Sequence, residues 1–153
     1  MSVVVRGADD LHALVGEDIG ISSWVELTQD QINGFADLTG DHQWIHTDPE
    51  RAAGGPFGTT IAHGYLTLSL LLPLLEEVLV LENRTSSINY GLDKVRFPAP
   101  VPAGSRVRMT ASLVEADDIE SGVQVKIDCV FEVDGQERPA CVARAVLRHH
   151  FAT

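Results

Sequence analysis

From Asn83 onward the apolar positions recur with a period of two. Val107, Met109, Ala111 and Leu113 alternate with Arg106, Arg108, Thr110 and Ser112. Val123, Val125, Ile127, Cys129, Phe131 and Val133 form a cleaner series, and Cys141, Ala143, Ala145 and Leu147 a third. Each series predicts a strand with one buried face. Ser86 to Phe97, stopped by Pro98, is a fourth candidate, and Ser23 to Leu27 an earlier, shorter one. Asp134-Gly135, between the second and third series, is a hairpin turn signal.

Before Asn83 the spacing is helical. Thr28-Gln29-Asp30-Gln31 fits a capping box, Ile32, Phe35, Ala36 and Leu38 follow at helical intervals, and Gly40 is a left-handed stop. Asp48 and Pro49 restart a short helix through Ala53, which Gly54-Gly55-Pro56-Phe57-Gly58 breaks. A long apolar helix is predicted from about Ala62 to Leu79. Its parent stretch, Ile61 to Leu81, rises about 1.5 Å per residue and so matches a bilayer in length. However, His63, Pro73 and Glu76-Glu77 interrupt it, so it reads as a helix surrounded by protein and not as a membrane span. An antiparallel sheet with one apolar face and a helix that needs covering satisfy each other when the sheet wraps the helix. The fold class expected is therefore α+β, in the hot-dog architecture, with residues 1–153 forming a single domain.

Composition narrows the function. A formal net charge of -11 excludes a nucleic-acid partner, which clustered Lys and Arg would have to hold. Val3-Val4-Val5 is too short for an export signal, so a cytoplasmic location is expected. Cys129 and Cys141 lie in strand-like runs and read as buried free thiols.

Candidate chemistry sits just past Gly40. Asp41 and His46 stand five residues apart in a turned segment, able to hold and polarise one water between a carboxylate and an imidazole. His63-Gly64 follows, opening the most apolar stretch, which points to a lipid-like substrate. Gly64 at a helix start offers a free N–H for a developing oxyanion. Which of Asp41 and His46 takes the first proton is left open, because a close pair shares its protons. His42 and His46, four apart, invite a zinc reading. No Glu follows His42, and Gly40 and Pro49 leave little room for a helix between them, so no metal or other cofactor is expected. Lys94, Arg96, Arg106 and Arg108 are close in sequence and read either as a positive rim or as a polar outer strand face. Glu76-Glu77 reads as a solvated helix end, and His149-His150 as a tail feature with no role.

Phe35 to Ala52 resembles the signature of the MaoC-like (R)-specific enoyl-CoA hydratases, in which Gly-Asp-x-Asn-Pro-aliphatic-His is followed six positions later by a small residue. Gly40, Asp41, Ile45, His46 and Ala52 match it. Ile61-Ala62-His63-Gly64, and Val95-Arg96-Phe97-Pro98-Ala99-Pro100-Val101 with Gly104, match later family segments. Gln43-Trp44 stands where the family has Asn-Pro. The resemblance implies reversible addition of water to a trans-2-enoyl-CoA, giving the (R)-3-hydroxyacyl product, in a homodimer. It implies Asp41 and His46 as catalytic residues and Gly64 as backbone donor. His63, Gln43 and Arg96 are then expected at the acyl-CoA substrate, with His63 alternatively bracing the loop. The acyl chain is expected along the apolar helix, near Leu66, Ser69 and Leu70. A 3-hydroxyacyl-ACP dehydratase subunit and a non-catalytic acyl-binding subunit are the rival readings. A hot-dog thioesterase is disfavoured by the Asp41–His46 pair.

Overall fold

The computed structural model describes residues 1–152. In chain order the elements are β1 (Val3–Val5), α1 (Ala8–Ala13), β2 (Asp18–Ile21), β3 (Val25–Glu26), α2 (Gln29–Thr39), α3 (Trp44–Thr47) and α4 (Pro49–Ala53). They continue with α5 (Gly64–Ser69), α6 (Leu71–Val78), β4 (Leu79–Leu81), β5 (Arg84–Arg96), β6 (Arg106–Ile119), β7 (Gly122–Val133) and β8 (Cys141–Phe151). The main sheet has the order β2-β6-β7-β8-β5, with β3 also on β6, and every pairing in it is antiparallel. β1 and β4 form a separate parallel pair. The α+β class read from the sequence is the one observed.

The period-two series became β6, β7 and β8 with their apolar residues inward. On β7 every second residue from Val123 to Val133 is buried. Against this face α6 lays Leu71, Leu74, Leu75 and Val78, its i, i+3, i+4, i+7 stripe. A second cluster, with Leu27, Ile32, Ala62, Val101, Val107 and Val133, lies under α2. Asp134 and Gly135 do turn the chain, Gly135 at φ 80° and Gln136 N–H donating to the Val133 carbonyl at 3.0 Å. Pairing resumes only near Ala140, whose N–H donates to Phe131, so the turn opens a longer loop. Cys129 and Cys141 are free and buried, and burial pushes their thiols up to about 12 and about 11, which leaves them unreactive.

The long apolar helix is the main correction. It begins at Gly64, breaks at Leu70 and ends at Val78, and Leu79 already belongs to β4. Pro73 is the cause: it has no N–H for the Ser69 carbonyl and its ring crowds that carbonyl. Nor is the helix covered all round, since Tyr65 is 71% and Leu72 38% exposed. The strand expected at Ser23 to Leu27 is only Val25–Glu26, and β1, α1 and β2 had no sequence reading. Glu77 is more than a solvated helix end: its carboxylate accepts from the Ser23 N–H at 2.8 Å and the Ser23 hydroxyl at 3.1 Å. Among the described residues no helix is long and apolar enough to cross a membrane.

His149 lies inside β8 and is buried, not in a tail. Burial first, then the charges of Arg84 and His150, push its pKa down to about 4. In the unfolded chain the imidazole takes a proton near its ordinary 6.5, whereas in the fold it stays neutral to about 4. Its contribution to stability is therefore full above about pH 6.5 and lost as pH falls toward 4, a loss of roughly 3 kcal/mol. Urea melts at pH 7 and pH 4.5 should show the native chain losing about 2 kcal/mol more stability than His149→Phe. Equal losses would mean that His149 protonates freely in the fold.

Candidate active site

The site is built on the exit of α2. Thr28 and Gln31 close the capping box, with the Thr28 N–H donating to Gln31 Oε1 at 2.9 Å and the Gln31 N–H to Thr28 Oγ1 at 3.2 Å. At the other end Gly40 takes φ 84° and donates its N–H to the Ala36 carbonyl, a conformation that favours glycine. The reversal sends Asp41 into a short loop whose turn is held by the Gln43 N–H donating to Asp41 Oδ1 at 3.3 Å. Gln43 is exposed and precedes α3, which carries His46 inward.

Three side chains converge. Asp41, His46 and His63 each offer one polar atom within 4.8 Å of the other two. His46 is 7% exposed, His63 3%, and the Asp41 side chain 53%. His46 Nδ1 lies 2.7 Å from the Ile61 carbonyl oxygen. A carbonyl only accepts, so Nδ1 carries the hydrogen and neutral His46 keeps its lone pair on Nε2. By the same reasoning His63 Nε2 donates to the Asp41 backbone carbonyl at 3.0 Å. The two imidazoles stack, with centroids 3.9 Å apart and planes at 24°, and Phe35 covers His63 from the other side at 4.9 Å.

Behind these groups stand residues to which the sequence reading gave no role at the site. Gln29 donates to the His46 carbonyl at 2.7 Å and to Asn33 Oδ1 at 2.9 Å, while its own Oε1 accepts from the Thr60 hydroxyl. It was read only as part of a capping sequence, and nothing in its spacing signals this reach across 17 residues.

His46 forms one wall of a cavity of about 330 Å³, shared with Phe57, Gly64, Thr67, Phe97 and Val101. Gly64 is the first residue of α5, where N–H groups have no intrahelical acceptor. A Cβ there would meet the Phe97 ring at 3.1 Å, so a larger residue would have to push that ring back by a few tenths of an ångström. Thr67 is 1% exposed and its hydroxyl has no partner among the described residues.

Arg96, expected at the substrate, and Arg106, Arg108 and His42, weighed for other roles, all lie outside the cavity wall. Arg96 ends β5 exposed, its guanidinium donating to the Val95 carbonyl at 2.7 Å, outside the cavity wall. Arg106 and Arg108 do share a face, but they pair with Asp134 and Glu132 and lie over Trp24, so they form the polar outer face and not a positive rim. His42 turns away from His46 to Asp37, at 2.9 Å, and that carboxylate raises its pKa. The His42–His46 pair is therefore not a shared ligand set. Trp44, in the loop where the resembled signature has proline, lies under the Arg51 guanidinium at 4.3 Å and against Gly55.

Residues 10–133 match the MaoC like domain. The chain belongs to the MaoC-like dehydratase family. It is 57% identical over 141 residues to 3-hydroxyacyl-thioester dehydratase Z of Mycobacterium tuberculosis, covering 92% of this chain and 93% of that one. It is 43% identical to nodulation protein N of Rhizobium leguminosarum bv. viciae, over 88% of this chain and 85% of that one. Its fold matches that of an R-hydratase from Pseudomonas aeruginosa with a TM-score of 0.73 at 21% identity, over 90% of this chain and 83% of that one. The expectation of a hydro-lyase of this family, with a hot-dog fold, holds.

Proposed function

We propose that the chain is an (R)-specific hydratase of trans-2-enoyl thioesters, running reversibly to the 3-hydroxyacyl thioester, with coenzyme A as carrier. The observation that carries this reading is the meeting of the Asp41 carboxylate with the His46 imidazole beside the cavity that Gly64 closes. In hydration the water oxygen bonds to the carbon distal to the carbonyl, one water proton passes to the pair, and a proton reaches the proximal carbon. His46 Nε2 is free to accept because Nδ1 is held by Ile61, and the Asp41 carboxylate is the second proton-transfer group. Charge develops on the thioester oxygen, where the Gly64 N–H and the unpartnered Thr67 hydroxyl are the two donors we assign. His63 Nε2, committed to the Asp41 carbonyl, holds the loop. Support for the substrate class comes from the relative named as a 3-hydroxyacyl-thioester dehydratase. The deciding experiment follows crotonyl-CoA by loss of its conjugated thioester absorbance and then determines the chirality of the product. An (R)-3-hydroxy product supports the reading; no turnover with the CoA ester but turnover with the same acyl group on ACP would move it to the dehydratase of a carrier-protein pathway.

We place the acyl chain in a hollow of about 210 Å³ beside α5, walled by Tyr65, Leu68, Ser69, Leu72, Leu92 and Ala145. Leu66, expected along the tunnel, instead packs toward the cluster under α2, Leu70 packs against both that cluster and the main core, and only Ser69 of the three positions lines the hollow. Ser69→Phe should cut turnover of 2-dodecenoyl-CoA at least ~10-fold while leaving crotonyl-CoA nearly unchanged, because a lost fit of one or two methylenes is worth ~1–3 kcal/mol. Parallel losses on both substrates would put the chain elsewhere.

The protein is further proposed to act as a cytoplasmic homodimer. Among the described residues β5 is a 13-residue edge strand paired on one side only, with Ile88, Tyr90 and Leu92 exposed on it and Phe97 exposed just past its end. A long apolar edge of that kind calls for a covering strand, and a second β5 supplies one. Light scattering should give twice the chain mass of 16.6 kDa; a monomer mass would remove the dimer.

A further inference from the structure

Beyond the hollow at Ser69 lies a larger chamber, about 400 Å³, between α6, β4 and the first half of β5. Its walls are mixed: Leu72, Leu75, Leu79, Leu81, Ile88 and Leu147 make the apolar part, and Glu76, Arg84, Thr85, Ser86, Ser87 and Asn89 the polar part. From β8 comes one buried polar group, His149, 3% exposed. Its Nδ1 is held by the Ser87 hydroxyl at 2.7 Å, and its Nε2 is buried with no partner among the described residues. An unsatisfied buried polar atom costs about 1–3 kcal/mol and is rare. Nothing in the chemistry at Asp41 and His46 uses this residue. A half-apolar chamber of this size with one buried, unpartnered polar group has the composition of a site for a small amphiphile.

The chemistry of the wall selects the ligand class. The Ser87 hydroxyl can donate to Nδ1 or accept from it, so Nε2 is a donor in one tautomer and an acceptor in the other. A hydroxyl satisfies both, whereas a carboxylate only accepts and an ammonium only donates. Glu76 and Arg84, both in the wall, are paired with each other at 3.2 Å, so neither offers an uncompensated charge to a ligand ion. Burial keeps the His149 imidazole neutral at pH 7. We propose that this chamber binds a neutral, largely apolar alcohol whose hydroxyl bonds to Nε2 of His149. Leu72 and Asn89 are common to this chamber and the Ser69 hollow. The alcohol is therefore either a free amphiphile or the hydroxylated far end of a long acyl chain, and the chemistry at His149 is the same for both.

The test titrates 1-decanol into the full chain and follows the imidazole nitrogens by ¹⁵N NMR. The Nε2 resonance of His149 should move saturably, decanoate should bind at least ~10-fold more weakly, and His149→Phe should weaken decanol by a similar factor, the equivalent of one hydrogen bond. A resonance that stays fixed to the solubility limit of decanol means that an internal water satisfies Nε2, and the proposal fails; so does decanoate binding as tightly as decanol. These readings need no turnover and no variant, so they stand whether or not the hydratase reading survives and whether or not His149→Phe folds. A second arm, which rests on that reading, separates the two sources. Decanol that raises KM for 2-dodecenoyl-CoA but not for crotonyl-CoA marks the far end of the acyl channel, and decanol bound with both values unchanged marks a separate site. Either result supports an alcohol at His149.

Discussion

Asp41→Asn is expected to leave fold and oligomeric state intact and to lower crotonyl-CoA turnover at least ~100-fold, the usual cost of losing a positioned acid or base. The structure separates the two jobs of this residue. Its backbone carbonyl anchors His63, and its Oδ1 accepts from the Gln43 N–H, and an asparagine retains both oxygens. What the amide lacks is the second oxygen able to take a proton, in a side chain half open to the reacting water. The mutant should therefore melt with the native chain and scatter light as the same species while failing in the absorbance assay. Turnover close to that of the native chain would remove Asp41 from the mechanism and leave His46 as the only acid or base. A loss of activity accompanied by a lowered melting point would instead trace the defect to the loop.

Local chemistry is what the sequence showed well. A capping box, a left-handed glycine and an Asp-Pro restart each depend on a few adjacent residues, and Thr28, Gly40 and Asp48 each appear in the structure as the spacing predicts. Strands with one wet face were equally legible, since alternation on β6, β7 and β8 is a direct record of burial. The apolar run from Ala62 to Leu79 was not, because a run with no polar face carries no phase. Periodicity therefore could not tell that Leu66 and Leu70 turn away from the hollow that Ser69 lines. The supports of the site were equally hidden. Ile61 acts through its carbonyl, Gln29 through an amide reaching 17 residues, and the His46–His63 stack joins two distant segments. His149 is the sharpest miss: two adjacent histidines near a chain end look like a tail, and only cross-strand pairing with Ser87 shows one of them buried.

His46→Ala should lose as much turnover as Asp41→Asn, and the double variant should fall little below the worse single one. The expectation follows from the proposed mechanism: the two groups approach within 4.8 Å and would serve one water, so removing either leaves the other without a proton partner. Losses in such a unit are strongly non-additive. The alanine also strips a buried ring from its bond to Ile61 and its stack on His63, so stability has to be measured beside the kinetics. His46→Gln keeps polar atoms and much of the volume at that position and lacks the imidazole base, and it separates the two effects. If the glutamine variant folds like the native chain and is as inactive as the alanine, the defect is chemical. Losses that multiply cleanly in the double variant would mean that Asp41 and His46 act on different steps, with one of them positioning substrate and only the other moving a proton.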